Sequence, residues 1–174
     1  MRILLLSALA AGAFAALPGP VAAQDGIDCA TATVILPPEL ADWNQREPLH
    51  AAGAVSGVET APLSVGVAVD ARLRPAADVR YVAPPQRADR AGGHGGLFSF
   101  EVAQPGTYRI AMGGSGWIDV LNGGRPASTS AHGHGPACSA IRKIVDFPLN
   151  RGRYVVQVTG NPEASVALLI ARLP

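Results

Sequence analysis

From Leu63 onward, apolar and polar residues alternate along the chain with a period of two, the spacing of a strand that buries one face. In LSVGVAVDARL (63–73), Val65, Val67, Val69 and Leu73 share one side, and Gly66, Asp70 and Arg72 share the other. A shorter strand is expected at 78–82. The polar, turn-rich APPQRADRAGGHGG that follows reads as a loop. LFSFEV (97–102) turns Phe98, Phe100 and Val102 inward, Gln104-Pro105-Gly106 bends the chain, and TYRIAM (107–112) returns with Tyr108, Ile110 and Met112 inward. GWIDVL (116–121) places Ile118 and Val120 on one face and Trp117 and Asp119 on the other. NGGR (122–125) then offers the Asn and Gly of a tight turn. IRKIVDFPL (141–149), RYVVQV (153–158) and ASVALLIARL (164–173) complete the set. The last two are apolar enough to be expected at the centre of a sheet, and 150–152 reads as a hairpin turn.

One pattern occurs twice. Phe100-Glu101-Val102, a turn, then Gly106-Thr107-Tyr108 is echoed by Phe147-Pro148-Leu149, a turn, then Gly152-Arg153-Tyr154. Two similar strand–turn–strand units in a chain without a long amphipathic helix predict an all-β fold: an antiparallel, jelly-roll-like β-sandwich of about eight strands over 63–174. Residues 24–62 carry no such period. Pro37, Pro38, Pro48 and Pro62 punctuate them, so they are expected to lie across the domain as an extended, irregular arm anchored by Leu36, Leu40 and Trp43. A helical turn is expected to start at Pro38.

The first 23 residues change the picture of where the protein works. Arg2, an apolar run from Ile3 to Ala16, a Leu17-Pro18-Gly19-Pro20 break and small residues at 21–23 form a secretory signal peptide. The run is short for a membrane span. Removing Arg2 lowers Lys+Arg from 14 to 13, against 13 Asp+Glu, so the expected mature charge is zero. A neutral chain lacks the basic excess that nucleic acid or an anionic membrane surface requires. The two cysteines, Cys29 and Cys138, are expected to pair in the periplasm or outside the cell.

Candidate chemistry concentrates in STSAHGHGPACSAIRK (128–143). His132 and His134 project to the same side if their segment is extended. With Cys138, and with Asp119 or His94 from neighbouring segments, they have the donor types that hold zinc or copper. The same stretch also reads as a Gly/Pro loop pinned by the disulfide, its histidines solvated or bonded to backbone. Trp117 beside Asp119 is a candidate ligand platform, aromatic plus acceptor. A Ser–His hydrolase would draw on Ser128, Ser130 or Ser139, with Asp119 or Asp146 orienting the base. The remaining function classes are a module binding a small molecule, glycan or metal through loops, and an envelope protein meeting a partner through its arm or an edge strand.

FSFEVAQPGTYRIAMGGSGWIDVL is similar to the strand–PGxY–strand pattern of small bacterial β-sandwich domains appended to secreted peptidases. Through WIDV, AHGHGPACSAIRK and GRYVVQV, most of the mature chain resembles a group of small exported alphaproteobacterial proteins, some labelled homogentisate 1,2-dioxygenase. That resemblance implies an exported β-sandwich and, through the label, a metal-dependent oxygenase built on two histidines and a carboxylate. In the cupin arrangement a glutamate follows the second histidine by four or five residues. Those positions here are Cys138 and Ser139.

Overall fold

The computed structural model describes residues 28–85 and 92–174; the expected leader, 1–23, lies outside them. In chain order the strands are β1 (Arg46–His50), β2 (Ala68–Arg72), β3 (Arg74–Pro75), β4 (His94–Val102), β5 (Gly106–Met112), β6 (Trp117–Asn122), β7 (Arg125–Pro126), β8 (Ala131–Gly133), β9 (Lys143–Leu149), β10 (Gly152–Asn161) and β11 (Ser165–Arg172). They form two sheets, ordered β1-β2-β11-β5-β9-β8 and β3-β4-β10-β6-β7. Every named pair is antiparallel except β1–β2. The all-β expectation is met. Among the described residues the strands number eleven rather than about eight, because β1, β3, β7 and β8 are short pieces that alternation does not reveal.

Both sheets feed one core. Val69 and Ala71 of β2, Ile110 and Met112 of β5, Phe147 of β9 and Leu168 and Ile170 of β11 meet Phe98, Phe100 and Val102 of β4, Ile118 and Val120 of β6 and Val156 and Val158 of β10 in a single cluster. The inward positions at β4, β5 and β6 are those the alternation predicts. β10 and β11 are central in their sheets, as their apolar sequences imply. Each fully buried Leu, Ile, Val or Phe contributes about 1.5–3 kcal/mol. Burial of this shared core is the main favourable term in folding.

The repeated unit is not a pair of hairpins. β4 and β5 lie in different sheets, and so do β9 and β10. The turns after Val102 and Leu149 therefore carry the chain from one sheet to the other, in opposite directions. A hairpin and an arch of this kind share the same local signature; the choice falls to long-range burial. Each tyrosine seals its corner, with Tyr108 Oη donating to Gln104 O at 2.8 Å and Tyr154 Oη donating to Asn150 O at 3.0 Å. Both rings pack on Phe100, at centroid distances of 6.4 and 5.5 Å.

Three segments differ from the pattern. Strand β2 begins at Ala68, not Leu63, because Gly66 takes φ +88°, outside the extended region, and Val65 is left exposed. No strand forms at 78–82. A 3-10 turn, Ala76–Asp78, precedes it. The buried amide of Gln157 then clamps the chain, accepting from Val82 N and donating to Ala83 O, each at 3.0 Å. Strand β4 begins at His94, inside the expected loop. Its Gly95 is required by crowding: a Cβ there would collide with Tyr81 Oη and lie 2.6 Å from Val158 O.

Residues 28–62 are more structured than an extended arm. They contain β1 and two 3-10 turns, Pro38–Asn44 and Val55–Thr60. The first turn starts at Pro38, as expected, and buries Leu40 and Trp43 in a second cluster with Ala68, Ala111, Ile141, Ile144 and Leu169. Leu36 packs against it. Ala52 and Pro62 bridge to Leu97 and Ser99 of β4.

Candidate functional site

The histidine segment sits where the two sheets present neighbouring edges. β8 closes one sheet beside β9, and β7 closes the other beside β6. The chain steps between these edges at 127–130. His132 lies opposite Val145, a core residue, so its register position is on the core side of its sheet. His134 follows one residue beyond β8. Both are exposed.

The loop after them is closed by its own bonds. Gly135 N donates to Ile141 O at 3.1 Å, Ser139 Oγ donates to Pro136 O at 2.7 Å, and Trp43 Nε1 donates to Ser139 O at 2.9 Å. Cys138 and Ala140 both take positive φ, 62° and 59°, which side-chain-bearing residues adopt at a cost. The Cys29–Cys138 disulfide, with Cα atoms 5.2 Å apart, ties this turn to the N-terminal segment. Its formation removes Cys138 as a thiolate ligand.

His134 Nδ1 is 2.7 Å from Arg142 O. A carbonyl oxygen only accepts, so Nδ1 carries the proton. In the neutral ring Nε2 is then left with a lone pair. A backbone acceptor on one ring nitrogen is the usual way an imidazole is oriented to give the other to a metal. His94, in β4 and paired with Asn161, makes the same kind of contact, Nδ1 lying 3.2 Å from Pro162 O, so only its place in the fold sets it apart from His134.

Between the edges lies a cavity of about 510 Å³. Ile118, Val145 and Phe147 supply apolar wall, and Trp117, Asp119, His132 and His134 share the lining. These four candidates thus line one cavity; His94 and Cys138 are not among the lining residues. The Trp117–Asp119 platform is joined internally, Trp117 Nε1 donating to Asp119 Oδ1 at 2.9 Å. Gln157 Nε2 lies 3.4 Å from Asp119 Oδ2. Lys143 Nζ sits 5.0 Å from the Trp117 ring centroid and donates to Gly116 O. Among the described residues no three His, Cys, Asp or Glu side chains are grouped as a metal ligand set.

On the outer face of β8 and β9, Arg109 grips Asp146 through Nε and Nη2, both at 2.9 Å, and Glu39 through Nη1 at 2.7 Å. The bond to Asp146 and the two carboxylate charges push the guanidinium above its ordinary pKa, against the opposing effect of burial. Asp146 is thus committed to Arg109, which leaves the hydrolase reading without that orienting group. Sequence reasoning missed Arg142, Lys143, Thr129 and Val145 as cavity residues. Only the pairing of distant edges brings them together. Gln157 did carry a signal: an amide inside a strand of valines.

Neither a scan against models of known protein families nor a search of curated proteins returns a significant match to this chain.

Proposed function

We propose that the chain is an exported, non-catalytic binding protein of the periplasm or cell envelope, a jelly-roll-like β-sandwich whose recognition end is the His132–His134 edge, and that this pair takes a zinc or copper ion. The observation that carries the metal is the bond from His134 Nδ1 to Arg142 O, which leaves the Nε2 lone pair as the ring's remaining donor. His132 stands two positions away and lines the same cavity. The ion's remaining positions go to solvent or to a bound molecule.

Export is supported by the leader-like first 23 residues, by a disulfide that persists in oxidising compartments, and by the resemblance of WIDV, AHGHGPACSAIRK and GRYVVQV to small exported proteins. No helix among the described residues is long and apolar enough to cross a membrane. The sandwich is supported by a core common to both sheets and by a chain that passes repeatedly between them. Binding is preferred to oxygenase chemistry because the facial triad needs a carboxylate on the metal. Asp119, the carboxylate that lines the cavity, is engaged by Trp117 and Gln157.

Zinc titration of protein purified from the periplasm and stripped with chelator is expected to show one ion per chain. Loss of a partner that merely orients a ligand costs about 10–100-fold in affinity. His132→Ala and His134→Ala, which remove ligands outright, should each weaken binding at least about tenfold, while His94→Ala leaves it unchanged. Stoichiometric binding that survives both substitutions, or no binding of zinc or copper, overturns the metal.

A further inference from the structure

We infer that the cavity between the sheet edges is itself a binding site, for a compact apolar alcohol whose ring or branched chain rests on Ile118, Val145 and Phe147 and whose hydroxyl donates to His134 Nε2. This goes beyond metal binding and does not need the ion. At about 510 Å³ the space is within the range that encloses small organic ligands. Its wall also includes Ala127, Ile144 and the Trp117 indole, so most of a ligand's surface would meet carbon. That favours a small molecule with few polar atoms over a sugar or a peptide.

Thr129, His132 and Arg142 also bring polar groups to the lining; the polar end is set by the three groups whose bonds are fixed by the protein. The Asp119 carboxylate accepts from the Trp117 indole N–H, and the Lys143 ammonium donates to Gly116 O. Both are turned toward the protein's own groups. His134 is different in kind. Its Nδ1 proton is spent on Arg142 O, so the neutral ring offers an acceptor and nothing else. An acceptor selects a ligand that brings a proton. A hydroxyl meets that requirement without the charge that an apolar wall would penalise. An ether or ketone of the same shape brings only lone pairs and would face the lone pair of Nε2.

The probe is menthol, compared with menthyl methyl ether, in chelator-treated protein so that no metal occupies Nε2. Binding is read by ligand-observed NMR and by the change in tryptophan fluorescence. Menthol is expected to bind about tenfold more tightly than the ether, the difference one hydrogen bond makes. His134→Phe keeps the wall and removes the acceptor, and should make the two affinities equal. Thr129→Trp, at the exposed rim, should exclude both. Equal binding of alcohol and ether to the unaltered protein overturns the assignment of the hydroxyl. Failure of either probe to bind, or binding that Thr129→Trp leaves intact, overturns the cavity as a site. Either result leaves the zinc titration unaffected, so the two readings fail separately.

Discussion

Removing the Cys29–Cys138 crosslink lowers the stability of the protein by about 2–5 kcal/mol. The two cysteines are 109 residues apart in sequence, so the bond closes most of the folded chain into one loop. In the chain-entropy description a loop of that size restrains the unfolded ensemble by about 4–5 kcal/mol. Part of that is recovered elsewhere. The Trp43–Ser139 hydrogen bond and the packing of Ile141 hold the same turn when the sulfurs are parted. For a domain of this size the change corresponds to a fall of about 5–15 °C in Tm. Urea and thermal unfolding of the Cys29→Ala, Cys138→Ala double variant beside the parent measures it. A midpoint that does not move shows that the crosslink restrains nothing the fold depends on. There is also a local consequence: the turn at Cys138 and Ala140, with its positive φ values, loses its covalent tie to the N-terminal segment.

Trp43→Ala costs about 3–5 kcal/mol, as truncation of a large buried aromatic does. Trp43 is 1% exposed. It fills the second cluster against Leu40, Ala68, Ala111, Ile141, Ile144 and Leu169, so its loss opens a cavity on the outer face of the six-stranded sheet. The substitution also leaves Ser139 O without the indole donor at 2.9 Å. Trp43→Phe separates the two effects. It keeps most of the volume and removes the N–H, and should cost about 1–2 kcal/mol. Chemical denaturation of the two variants gives both numbers. A Trp43→Ala cost below about 1 kcal/mol would mean that residues 28–62 are an ornament on the fold and not part of it.

The strands that bury one face were legible because burial writes a period of two into the sequence. Phe98, Phe100 and Val102, then Tyr108, Ile110 and Met112, stand where the alternation puts them. What the alternation cannot carry is partnership. Nothing in FEVAQPGTY or FPLNRGRY distinguishes a hairpin from a passage between sheets. The difference lies in which distant strands each one buries. The short pieces β3, β7 and β8 hold two or three residues, too few to show a period. Gly95 and Gly96 read as loop residues, yet they are strand residues kept small by Tyr81 and Ala51. At the site, the pairing of Cys29 with Cys138 followed from the cysteine count and the expectation of export. The gathering of Trp117, Asp119, His132 and His134 followed only in part. Their residue types suggested a ligand set, but the cavity they share is made by β6 and β9, strands of different sheets. His94 was a candidate by residue type, and the register of β4 with β10 pairs it with Asn161 and sets it beside Pro162 instead.

The protonation of His134 is the most direct test of the site. Nitrogen-15 NMR of the imidazole side chains, on metal-free protein at a pH where the rings are neutral, reports which nitrogen bears the proton. The bond to Arg142 O predicts a proton on Nδ1 and a bare Nε2, and one equivalent of zinc should then shift Nε2 of His132 and His134 while His94 stays in place. A proton found on Nε2 of His134, or a zinc titration that leaves both rings unmoved, would contradict it.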